Sequence, residues 1–181
     1  MARLFDARLW LEIKYRELDP NEWVQYDIRF GFGEENLFNT ALLKRNPPHW
    51  ADRREEAFRA NDFQTDSLVP TLERVVSGNR PQSWGPLEPD ITVAFYPKMA
   101  FPFIYTARTP WGGAEVGEEN PAPEDSINVI AMVDRYNLQG GFMYHGCGPA
   151  LILMVSRQQL TDFLVELREE YAAMPRREKG D

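Results

Sequence analysis

The sequence predicts an α+β fold: a mainly antiparallel β-sheet with two or three helices packed on one face. Three observations carry this prediction. Residues 9–32 and 91–105 each show paired segments of two-residue alternation. Residues 66–78 carry a helical stripe bounded by caps. Residues 150–174 run from an apolar strand directly into an amphipathic helix. At 181 residues, 43% hydrophobic and 13% aromatic, the chain has the material for one packed core. We read residues 1–174 as a single globular domain and 175–181 (PRREKGD) as a frayed, charged tail that opens with a helix-stopping proline.

Along the chain, Leu9, Leu11, Ile13 and Tyr15 alternate with Trp10, Glu12, Lys14 and Arg16. After turn residues at 18–22, Val24, Tyr26, Ile28, Phe30 and Phe32 alternate with Gln25, Asp27, Arg29 and Gly31. This is a hairpin with one buried and one wet face. Residues 33–45 fit a short helix or a strand; Phe38 and Thr40, following a hairpin, favour a third strand. Asn46-Pro47-Pro48 then opens a helix with a weak stripe of Trp50, Ala57 and Phe58, and the RREE charges at 53–56 form its solvated face.

The next helix is better marked. Thr65, Asp66 and Ser67 offer caps, and Leu68, Leu72, Val75 and Val76 share one face. Pro70 falls in the first turn, where a missing N–H costs nothing, and Gly78 suits the residue just past the end. Residues 79–89 are a loop by composition. Residues 91–95 and 101–105 alternate as a second hairpin, and 127–133 and 142–144 form further strands. The apolar run 150–155 reads as a buried strand. Ser156 with Gln159 is a capping box, and Leu160, Phe163, Leu164, Leu167, Tyr171 and Met174 recur on one face of the helix that follows.

Charge and composition narrow the function. A net charge of −8 argues against binding nucleic acid or an anionic membrane, either of which calls for a basic face. Cys147 is the only cysteine, so no disulfide forms within the chain and a reducing compartment is expected. Asp6 and Glu12 interrupt what would be the apolar region of a signal peptide, and no apolar run approaches the roughly 20 residues of a membrane span. The expectation is a soluble, cytoplasmic protein, with its oligomeric state unread.

His145-Gly146-Cys147-Gly148 is the only constellation with catalytic character. In extended chain, imidazole and thiol two residues apart share a face, so His145 and Cys147 could act as base and nucleophile of a thiol-dependent hydrolase or transferase. The alternative is a glycine-rich turn holding a small buried cysteine. His49 and His145 are the only histidines and fall short of a zinc ligand set, so no metal is expected. No phosphate loop, dinucleotide fingerprint, nucleophile elbow or H-E-x-x-H is present, and no cofactor is expected.

Acidic surface is the stronger lead. Residues 109–125 form the longest aperiodic stretch and carry Glu115, Glu118, Glu119, Glu124 and Asp125 with no basic residue. On the last helix, Asp162 and Glu166 are like charges four apart, and Glu169 and Glu170 stand at the helix end that repels anions. Stability alone would not choose this arrangement; it is either a solvated face or a face for a basic partner. Trp50, Trp84 and Trp111 lie near loops or helix starts, where an indole can anchor an interface. The candidate partner-binding set is Trp111, Glu115, Glu118, Glu119, Asp162 and Glu166.

The hairpin 9–32, the helix DSLVPTLERVVSG at 66–78 and the ending ALILMVSRQQLTDFLVELREEY together resemble the small acidic immunity proteins that bacteria pair with polymorphic toxins. The resemblance lies in the order of elements over most of the chain; 46–63 and 109–125 have no counterpart, and no functional residue carries over. It implies a non-enzymatic inhibitor that covers the active site of a basic toxin. The expected function is accordingly an acidic protein-binding module, with the Cys147–His145 enzyme as its alternative.

Overall fold

Alternating apolar residues need partner strands and a cover on one face; the N-terminal third supplies the strands, and later elements supply the cover. The computed structural model describes residues 1–18, 24–39, 58–60, 68–85, 91–97, 125–133 and 150–176. Strands β1 (Ala2–Asp6), β2 (Leu9–Leu18), β3 (Val24–Phe32) and β4 (Glu35–Asn39) form an antiparallel meander, and β5 (Phe58–Ala60) also pairs with β3, making a five-stranded sheet A. Leu11 lies opposite Leu4 and Phe30, and Ile13 opposite Ala2 and Ile28, so the inward residues stack in rows across the sheet. A bulge between Tyr15 and Glu17 resets the alternation and turns Leu18 into the core.

Helix α1 (Leu68–Ser77) buries Leu68, Val69, Leu72 and Val75, with Pro70 in its first turn as expected. Sheet B is a second antiparallel sheet, in the order β6 (Gln82–Trp84), β7 (Ile91–Pro97), β8 (Ser126–Val133) and β9 (Ala150–Ser156). Helix α2 (Arg157–Ala173) follows β9 without a connecting loop and buries Leu160, Phe163, Leu164 and Leu167. One apolar cluster unites the inner faces of both sheets with both helices. Tyr26 of β3 and Trp84 of β6 join the sheets directly, their ring centroids 5.6 Å apart. The class is α+β, as expected; among the described residues the strands form two sheets where one was expected.

Several expectations change. The segment 79–89 was expected to be loop, yet Gln82–Trp84 pairs with β7 because Trp84 has a core site to fill; a tertiary gain overrides local composition. Trp84 is therefore no interface anchor. Phe58 was expected on a helix and lies in β5. The run 150–155 was expected to be a buried strand, and only one of its faces is buried. It alternates, with Leu151, Leu153 and Val155 inside and Ile152 and Met154 on the outer face, because β9 ends the path of sheet B. The rest of the helix expected to open at Asn46-Pro47-Pro48, with Trp50 and Ala57, and the strands at 101–105 and 142–144 lie outside the described residues.

The first two residues of the expected tail, Pro175 and Arg176, are bonded to sheet A. Strand β1 starts opposite Ile13, so β2 runs on past it with N–H groups to satisfy. The Leu18 N–H donates to the Pro175 carbonyl at 2.9 Å, and Arg176 forms a parallel bridge to Leu18. Residues 175 and 176 thus extend the edge of sheet A; 177–181 lie outside the described residues.

Candidate functional site

Helix α2 displays the acidic residues expected to meet a partner, and its two neighbours in the chain fix it in place. The Ser156 Oγ accepts from the Gln159 N–H at 3.1 Å, and the Gln159 Oε1 accepts from the Ser156 N–H at 2.8 Å, completing the capping box. The Gln159 Nε2 donates to the Phe5 carbonyl at 3.0 Å, tying the helix start to β1. Arg157, the first helical residue, donates to the Val75, Val76 and Gly78 carbonyls at the end of α1 and to the Asn79 side chain. Those carbonyls carry the negative end of the α1 dipole, so one guanidinium both satisfies and neutralises it.

The outward side chains of α2 fall into two groups. Glu166 accepts from the Arg3 backbone N–H at 3.2 Å and Glu170 from the Tyr15 N–H at 3.1 Å, so both cap open N–H groups at the edge of sheet A. Part of the charge that seemed superfluous to stability is therefore structural. Asp162, exposed, accepts from Gln158 one turn earlier, at 2.7 Å. Glu169 is exposed, and Val165 between these acids is 46% exposed. Positions 162, 165, 166 and 169 share one helical face. Arg168, the basic residue nearby, pairs with Glu73 of α1.

Of the sequence-derived candidates, the structure brings Asp162 and Glu166 together on this face. Trp111, Glu115, Glu118, Glu119, His145 and Cys147 lie outside the described residues. Among the described residues no cluster of three or more His, Cys, Asp or Glu is placed to hold a metal, and no helix is long and apolar enough to cross a membrane.

Sequence reasoning missed the outer face of sheet A. Glu12 and Asp27, expected on a wet face, are each 1% exposed. Arg3 bonds Glu12, with its Nε 3.1 Å from the carboxylate, and Arg16 bonds Asp27, with its Nε at 2.5 Å. The signal was present: opposite charges alternate along and across β2 and β3 at positions where strand pairing makes them neighbours. No family model matches the chain, and neither a curated protein nor a solved structure does.

Proposed function

We propose that this chain is a non-enzymatic protein-binding module whose acidic α2 face receives a basic partner, inhibition of a cognate protein being its most concrete form. The observation that carries this reading is the face of Asp162, Val165, Glu166 and Glu169 on a helix tied down at its N-terminal end and along its flank. Such a face is preorganised in its backbone: little backbone freedom remains to be lost on binding. Its carboxylates favour rapid encounter with a basic surface, and Val165 offers a small apolar contact at the centre. The acidic stretch at 109–125, with Glu115, Glu118, Glu119 and Trp111, is assigned to the same partner by charge.

The test is affinity capture on the immobilised full chain from a lysate of its source organism, at low and moderate salt. The proposal expects a basic protein retained in stoichiometric amount by the unaltered chain, released by salt and not retained by the Asp162→Lys, Glu169→Lys variant. Capture that ignores this double substitution excludes the α2 face.

A further inference from the structure

The outer face of sheet A reverses the sign of the rest of the molecule. It presents Arg3 and Phe5 from β1, Trp10, Glu12 and Lys14 from β2, and Asp27, Arg29 and Gly31 from β3, with Arg16 reaching Asp27 from the bulge. Four cationic side chains thus stand with three carboxylates, Glu12, Asp27 and Glu17, which lies opposite Gln25 on the same face, in a chain whose net charge is −8. Depth separates the signs further. The carboxylates of Glu12 and Asp27 are enclosed, at 1% exposure, whereas the side chains of Arg3, Arg16 and Arg29 are 34%, 39% and 31% exposed. At these positions an approaching molecule meets the guanidinium groups before the Glu12 and Asp27 carboxylates beneath them.

Arg29 is the least satisfied of the three arginines. Its Nη1 lies 3.6 Å from the Glu12 Oε1, beyond hydrogen-bond length, and its Nε is buried with no acceptor. A guanidinium carries five donors in a planar fork, and a carboxylate is the group that fits two of them at once. The Arg29 side chain is 31% exposed, so its guanidinium stays open to an incoming oxyanion in addition to Glu12.

We infer that the outer face of sheet A is a second docking surface, centred on Arg29, for an acidic polypeptide segment. The observations favour a polypeptide over a single-stranded nucleic acid, whose bases need free aromatic faces on which to stack. Trp10 is only 6% exposed: its ring packs on Gly31, and the Arg3 guanidinium lies 4.8 Å from its centroid. Phe5, 45% exposed beside Arg3, supplies an apolar contact at the margin. The net charge of the whole chain also repels a long polyanion, while a short acidic segment reads mainly the local face, because charges beyond about 10 Å are screened at ordinary salt. This surface lies on the side of sheet A turned from the core, whereas α2 packs on the core side. The inference stands apart from the reading of α2.

The experiment is fluorescence anisotropy of a short, fluorescein-labelled glutamate-rich peptide titrated with the intact chain at low and moderate salt. Labelled oligothymidylate and the variants Arg29→Gln and Lys14→Glu are run alongside, each variant checked by thermal melting. The inference expects salt-sensitive peptide binding, weakened about tenfold by Arg29→Gln, the scale of one charge-assisted hydrogen-bonded contact. Lys14→Glu is expected to weaken it at least as much, and it decides the matter if Arg29→Gln does not fold. The Asp162→Lys, Glu169→Lys variant is expected to bind the peptide undiminished, which separates this surface from α2. Absence of peptide binding, equal affinity in the folded sheet variants, or oligothymidylate bound as tightly as peptide overturns the inference.

Discussion

Arg157 donates a hydrogen bond to the Val76 carbonyl at 2.5 Å, across 81 residues of sequence. Its Nη1 also reaches the Val75 and Gly78 carbonyls, at 2.9 and 3.0 Å, so one side chain closes the C-terminus of α1 from the N-terminus of α2. Replacing it with alanine leaves carbonyls of the last α1 turn without their charged donor. The expected loss is about 1–3 kcal/mol, the range for hydrogen bonds to a charged group. Arg157→Lys recovers only part of that, because a point charge lacks the second nitrogen that reaches Asn79. Urea unfolding of the two variants measures both effects.

Ser156→Ala removes the hydroxyl that accepts from the Gln159 N–H. A loss of about 1 kcal/mol is expected in the same assay. Because β9 passes straight into α2 at this residue, the loss should appear as a change in unfolding midpoint with an unchanged denaturant slope.

Gly31 has no room for a side chain. A Cβ there would lie 2.1 Å from the Glu35 carbonyl oxygen and 2.4 Å from the Trp10 ring. One of these obstacles is backbone held in the β3–β4 pairing, so it cannot simply swing aside. Gly31→Ala should cost about 1–3 kcal/mol, as overpacking does. Tryptophan fluorescence of the folded variant should shift as Trp10 is displaced.

The Arg16–Asp27 pair predicts an asymmetry. Asp27 is enclosed and Arg16 is 39% exposed. Deleting Arg16 leaves a buried carboxylate without its counter-ion, whereas Asp27→Asn leaves a guanidinium that water can reach. Arg16→Ala should therefore destabilise more than Asp27→Asn. Adding Asp27→Asn to Arg16→Ala should restore part of the loss. Thermal melts of the single and double variants give the comparison.

How much of this was legible beforehand depended on whether the decisive contact was local. The capping box, Pro70 in the first turn of α1 and the alternation of β2 and β3 are written within a few residues, and each appears where the sequence places it. Strand β1 has only Ala2 and Leu4 facing inward and turns through Ala7, at a φ of +51°, where no glycine or asparagine marks the bend. Trp84 sits among turn-forming residues, and its value comes from Tyr26, far away in sequence. On α2, sequence identified the acidic face but not that Glu166 and Glu170 cap the edge of sheet A, since the N–H groups they meet belong to Arg3 and Tyr15.

The central claim is that the acidic face of α2 speeds the capture of a basic partner. The most direct test is the association rate of the retained partner with the unaltered chain and with the Asp162→Lys, Glu169→Lys variant, at low and moderate salt. Among the described residues, neither substituted side chain makes a bond that holds α2 to the core, so the fold should persist. The account predicts a slower association for the variant, with a flatter salt dependence and a smaller change in dissociation. Equal association rates and equal salt dependence for the two proteins would contradict it.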